Sequence, residues 1–99
     1  MKRISIAVAV ALAVPAGAAN ADNDNLGRNM AASCATCHGT NGKSVGGMAV
    51  LAGYRQDLLV QAFKDFKSGV RPATLMHQIA NGYDEAQVRS LAAFFAAQK

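Results

Sequence analysis

The sequence predicts an all-α domain of three to four short helices, and three observations carry that prediction. Apolar residues recur at i, i+3, i+4 and i+7 in the segments from Arg55 to Ser68 and from Asp84 to Phe95. No stretch after residue 21 shows the period-two alternation of a strand. The interruptions are Gly-rich or carry proline, as turns between helices do.

Taken in order, the first 21 residues read as an export signal. Lys2 and Arg3 form a basic start, Ile4 to Val14 is a predominantly apolar run, and Ala19-Asn20-Ala21 offers the small-x-small pattern of a cleavage site. The run is shorter than the roughly 20 apolar residues a bilayer span needs, and polar Asn20 and Asp22 to Asn25 follow it, which argues against an uncleaved anchor. Residues 22–99 are then expected as one domain of 78 residues, with no membrane span after cleavage. Lys2 and Arg3 would leave with the signal, so eight basic residues would stand against six acidic ones, a net charge of +2. No dense basic run interleaved with aromatics is present, which excludes nucleic acid as the expected partner.

In the expected domain, Leu26, Met30 and Cys34 are spaced i, i+4, i+8 on a first helix, with Asp24 or Asn25 as its N-cap. Residues 41–53 hold Gly42, Gly46, Gly47 and Gly53 and read as a loop hugging something. Arg55 to Ser68 places Leu59, Ala62, Phe63 and Phe66 on one face, with Lys67 suited to the C-terminal dipole and Gly69 just past the end. After Pro72, the positions of Met76, Ile79, Ala80 and Tyr83 repeat the helical spacing up to Gly82. The last helix opens at Asp84 with Gln87 as its capping-box partner and buries Val88, Leu91, Ala92 and Phe95.

So small a domain usually needs a staple. Its two cysteines lie in Cys34-Ala35-Thr36-Cys37-His38, and a bridge between neighbours this close would close too short a loop to stabilise much. The pattern is that of covalent haem attachment. Two thiols on one helical turn reach the two vinyl groups along one porphyrin edge, and the following His38 projects beneath the iron. A thioredoxin-like Cys pair needs a βαβ context, and zinc needs four ligands where only Cys34, Cys37, His38 and His77 are available. One covalently attached haem c, with its iron, is therefore the expected cofactor.

A second axial ligand, unless the iron takes none, is expected from Met30, Met48, Met76 or His77. Met30 sits on the attachment helix itself, and Met48 follows His38 by ten residues, within the proximal loop. Met76 lies thirty-eight residues beyond His38, enough chain to reach the opposite face of the ring. Position favours Met76; Met48 and His77 stay open, and His77, about 100° round a helix from Met76, is expected to be exposed.

The stretch Gly27-Arg28-Asn29-Met30-Ala31-Ala32-Ser33, ahead of Cys34-Ala35-Thr36-Cys37-His38-Gly39-Thr40, resembles the first helix of small bacterial class I cytochromes c. Leu51-Ala52-Gly53-Tyr54, Phe63-Lys64, Gly69-Val70-Arg71, Thr74-Leu75-Met76, Ile79-Ala80-Asn81-Gly82-Tyr83 and Leu91-Ala92-Ala93-Phe94-Phe95 extend the resemblance over nearly all of 22–99. It is similar to the cytochrome subunits of flavocytochrome c sulfide dehydrogenases and to related periplasmic carriers. The resemblance implies a class I cytochrome c fold around one haem, with Cys34 and Cys37 as thioether positions and His38 and Met76 as iron ligands. It further implies a helix crossing of Gly27 against Phe94 or Phe95. Relatives usually place a proline where Ala49 stands, with its carbonyl fixing the proximal imidazole. The implied function is that of a non-enzymatic, periplasmic, one-electron carrier between redox proteins, its donor a dehydrogenase and its acceptor an oxidase or another cytochrome. A haem-bearing subunit of a sulfide or sulfite dehydrogenase complex is the alternative, and a peroxidase with an open iron site a more distant one. Lys43, Arg55, Lys64, Lys67 and Arg71 are candidates for steering an acidic partner.

Overall fold

The computed structural model describes residues 8–11 and 18–99, the side chains of 18–24 excepted. The described residues form helices joined by turns and loops, and no strand occurs among them. Lys2, Arg3 and most of the apolar run of the expected export signal lie outside the described residues.

One bent helical run opens the fold: α1 (Ala18–Ala31), a 3-10 turn (Ala32–Cys34) and α2 (Ala35–His38). It begins well before the expected start at Leu26. Ala18 and Ala19 are strong helix formers, and the cap preference of Asp24 or Asn25 is local, so a helix runs through it where nothing turns the chain. The inward line also differs from the expected one. Gly27 and Ala31 are buried, Met30 and Cys34 pack beside them, and Leu26 is 42% exposed. The cause is the crossing with the last helix. A side chain at Gly27 would strike the Ser90 carbonyl oxygen and stand 3.3 Å from Phe94 Cβ, so only glycine permits this approach. The aromatic at the crossing is Phe94.

Helix α3 (Gln56–Ser68) buries Leu59 and Phe63 and ends at Gly69 in the left-handed conformation. Helix α4 (Met76–Asn81) buries Ala80 completely, while Ile79, expected to face inward, is 36% exposed. Helix α5 (Glu85–Ala96) buries Val88, Leu91, Ala92 and Phe95, the face its periodicity predicts. Its capping box is formed: Asp84 Oδ1 accepts from the Gln87 N–H at 2.8 Å, and Gln87 Oε1 accepts from the Asp84 N–H at 2.9 Å.

Helix α5 packs against both α1 and α3, and α4 packs on α3. Their shared core is Ala31, Leu59, Phe63, Ala80, Val88, Leu91, Ala92 and Phe95. Three of these eight are alanines, so the apolar payload is slight. Leu91, 1% exposed, is the bulkiest fully buried side chain and contributes about 1.5–3 kcal/mol.

The Gly-rich segment starts with a 3-10 turn (Thr40–Gly42) and continues without regular structure to α3. It is tied at both ends. The Gly42 carbonyl accepts from the N–H groups of Leu51 and Ala52 at 2.8 and 3.1 Å, and the Gly53 N–H donates to the Phe95 carbonyl at 2.8 Å. Gly42 has φ +76°, and a Cβ there would sit 2.7 Å from Leu51 Cβ and 2.9 Å from the Phe95 ring. Conformation and space both demand glycine. This clamp holds the chain that follows the Cys-x-x-Cys-His motif beside the end of α5.

Candidate functional site

Cys34 closes the 3-10 turn and Cys37 lies in α2, consecutive turns of one helical run. Both thiols are free; Cys34 is half-buried against the core and Cys37 is exposed. Burial pushes the Cys34 thiol above its ordinary value. A nucleophilic redox cysteine is activated by a lowered pKa, the opposite of the direction here. Among the described residues, no three His, Cys, Asp or Glu side chains gather into a group that could hold a metal ion.

His38 ends α2, and its Nδ1 lies 2.7 Å from the Ala49 carbonyl oxygen. A carbonyl only accepts, so Nδ1 carries the hydrogen of the neutral ring and the lone pair sits on Nε2. The ring is thus both oriented and given the tautomer that an iron ligand needs. Ala49 supplies the carbonyl without the ring of the proline expected from the resemblance.

Met76 is the first residue of α4, where the irregular segment from Pro72 ends. It is half-buried and packs on the same core cluster as Cys34 and Met30. Met48, by contrast, is 55% exposed in the loop. His77 departs from expectation: it is half-buried, and its Nδ1 is enclosed without a hydrogen-bond partner. Ser44 Oγ, in the loop after His38, is likewise enclosed and unpartnered.

These residues suit a covalently attached porphyrin. Two free thiols on adjacent turns and an imidazole with its Nε2 available would suit attachment, and the Met76 thioether packs on the same core cluster as Cys34. Around them apolar side chains stand open: Val50 in the loop is 53% exposed and Leu75, beside Met76, 52%. A flat apolar group has contacts to make here.

The basic residues are less available than their sequence positions suggest. Arg55 pairs with Asp57 at 2.7 Å, Lys64 with Glu85 at 3.7 Å, Lys67 donates to the Tyr83 carbonyl, and Arg71 lies 4.9 Å from the centre of the Phe66 ring. Another contact escaped sequence reasoning altogether: the hydroxyls of Ser33 and Tyr83 lie 3.3 Å apart across fifty positions of chain. No local signal marks such a pair.

No protein-family model matches the chain. Among curated proteins it is similar to the cytochrome c-552 of Acidithiobacillus ferridurans, 35% identical over 72 residues, which cover 73% of this chain and 31% of that protein. It is 33% identical over 72 residues to the cytochrome subunit of sulfide dehydrogenase of Chlorobaculum tepidum, covering 73% of this chain and 66% of that one. To cytochrome c4 of Pseudomonas aeruginosa it is 32% identical over 74 residues, 74% of this chain and 37% of the other. The chain spans between about a third and two thirds of the length of these relatives.

Proposed function

The chain belongs to the small class I cytochromes c and carries covalently bound haem c with its iron, and from that premise we propose that it is a periplasmic carrier of single electrons between redox proteins. Cys34 and Cys37 would hold the haem through thioethers, and His38 and Met76 would be its iron ligands. The haem supplies the reversible one-electron couple. The protein's own residues set its ligation, orientation and burial.

The observation that carries this reading is the hydrogen bond from His38 Nδ1–H to the Ala49 carbonyl, which leaves Nε2 free to ligate. The inward packing of Met76 supports the distal assignment, because Met48 faces solvent and Met30 shares the attachment helix. Were His38 and Met76 both to ligate, substrate would have no place on the iron, the arrangement of a carrier rather than of a peroxidase. The basic start and cleavage pattern of residues 1–21 support export, and no described helix is long and apolar enough to cross a membrane.

The test is optical and electrochemical. The ferric protein is expected to be low-spin and to show the long-wavelength thioether-to-iron band. In Met76→Ala that band disappears and the reduction potential falls, since a methionine partner raises it. Persistence of the band in Met76→Ala would refute the ligand assignment, and a colourless purified protein would refute the whole reading.

A second reading has its own support. The sulfide dehydrogenase cytochrome subunit is the relative of which this chain covers the greatest share among the three above. A haem-bearing subunit of a sulfur-compound dehydrogenase would perform the same electron transfer with a permanent partner. Size-exclusion chromatography of native extract separates the two, because a stable large complex would replace the free-carrier reading.

A further inference from the structure

Tyr83 stands in the joint between α4 and α5 and touches three other parts of the fold. Its ring meets Phe63 of α3 edge-on, with centroids 6.2 Å apart and planes at 73°. Its carbonyl accepts from Lys67 Nζ, near the end of α3. Its hydroxyl lies 3.3 Å from Ser33 Oγ. The direction of that last bond follows from hydrogen counting. Ser33 has one hydroxyl hydrogen and donates it to the Met30 carbonyl at 2.9 Å, so the Tyr83 O–H is the donor.

The two ends of this bond belong to the two segments that carry the candidate site residues. Ser33 immediately precedes Cys34 on the attachment run. Tyr83 is fastened to α4, its N–H donating to the Ala80 carbonyl at 3.2 Å, and α4 begins with Met76. Besides packing, the bond from Tyr83 to Ser33 is a direct polar tie between the attachment run and the end of α4.

We propose that Tyr83 is a positioning residue for the distal ligand, its hydroxyl bracing α4 against the attachment run so that the Met76 thioether stays within reach of the iron. The proposal rests on Met76 being that ligand. Tyr83 does not touch the iron; it limits how readily the segment bearing Met76 swings away.

Imidazole titration of the haem-loaded ferric protein, followed by loss of the thioether-to-iron band, measures that tendency. Tyr83→Phe keeps the ring edge on Phe63 and removes only the hydroxyl. The bond is long for two hydroxyl oxygens, so imidazole is expected to displace Met76 at roughly two- to five-fold lower concentration. Ser33→Ala gives a similar shift, and the double variant shifts no further than either single one. Val88→Ala weakens the core cluster on which Met76 also packs without removing either hydroxyl, and shifts the imidazole midpoint less than Tyr83→Phe does. A Tyr83→Phe midpoint equal to the parent's overturns the proposal, as do additive Tyr83 and Ser33 effects or an equal shift in Val88→Ala. A band that is absent from the parent, or that survives Met76→Ala, shows instead that the ligand assignment itself is wrong.

Discussion

His38 shows how one backbone atom decides the chemistry of a side chain. The Ala49 carbonyl can only accept, so it selects the proton-bearing nitrogen and presents the other. A carbonyl belongs to every residue, so alanine in place of proline leaves this bond intact. Glu85 illustrates a weaker effect at the same scale. The hydrogen bond from Arg89, assisted by the charges of Lys64 and Arg89, holds its carboxyl below the ordinary value. A depressed carboxylate contributes stability that is present above its unfolded value, about 4.3, and is lost as pH falls through the lower folded value. Glu85→Gln is therefore expected to lose less stability than the parent between neutral pH and pH 3, as read by urea unfolding. The group is exposed, so high salt should shrink that difference; an equal acid loss in parent and variant would discount the pair.

At the scale of elements, the crossing of α1 with α5 is the tightest constraint in the fold. Gly27 lets the two backbones meet at Ser90 and Phe94, and this contact, more than the apolar spacing of Leu26, Met30 and Cys34, sets the rotation of α1. Gly27→Ala gains slightly in helix propensity, at most about 1 kcal/mol. It forces apart two packed backbones, which costs about 1–3 kcal/mol or more. The clash prevails, and thermal unfolding of the haem-loaded variant should show a lowered midpoint. An unchanged midpoint would mean that the helices separate without cost. Helix α5 itself was legible beforehand, because its capping box and its inward face are written within a dozen neighbouring residues. The start and rotation of α1 were not, since they depend on what α5 presents to it.

For the molecule as a whole, the decisive quantity is the size of the core. Among the described residues the core is eight buried apolar side chains, three of them alanine, a slight payload for a domain of this size. Under the proposed attachment, a haem held by Cys34 and Cys37 would complete the interior. Cys34→Ala/Cys37→Ala is accordingly expected to lose most of its helical circular dichroism along with its colour. A colourless double variant with native helicity would show that the polypeptide core suffices. The surface charges also look different at this scale. Arg55 and Lys64 are paired with acids, and Lys67 and Arg71 are engaged within the fold, so electrostatic steering of an acidic partner has fewer uncommitted cations than a count implies.

What the sequence determined by itself lies within short reach along the chain: the attachment pattern at Cys34, Cys37 and His38, the α5 cap at Asp84, the α3 stop at Gly69, and the all-α class. These follow from chemistry between residues a few positions apart, where backbone geometry alone sets the distance. Tertiary structure decided which aromatic meets Gly27, that Met76 turns inward while Met48 faces out, that His77 is enclosed, and that Tyr83 reaches Ser33. Each of these joins residues far apart in the chain, and their separation is set by the packing of all the helices together, which no local pattern encodes.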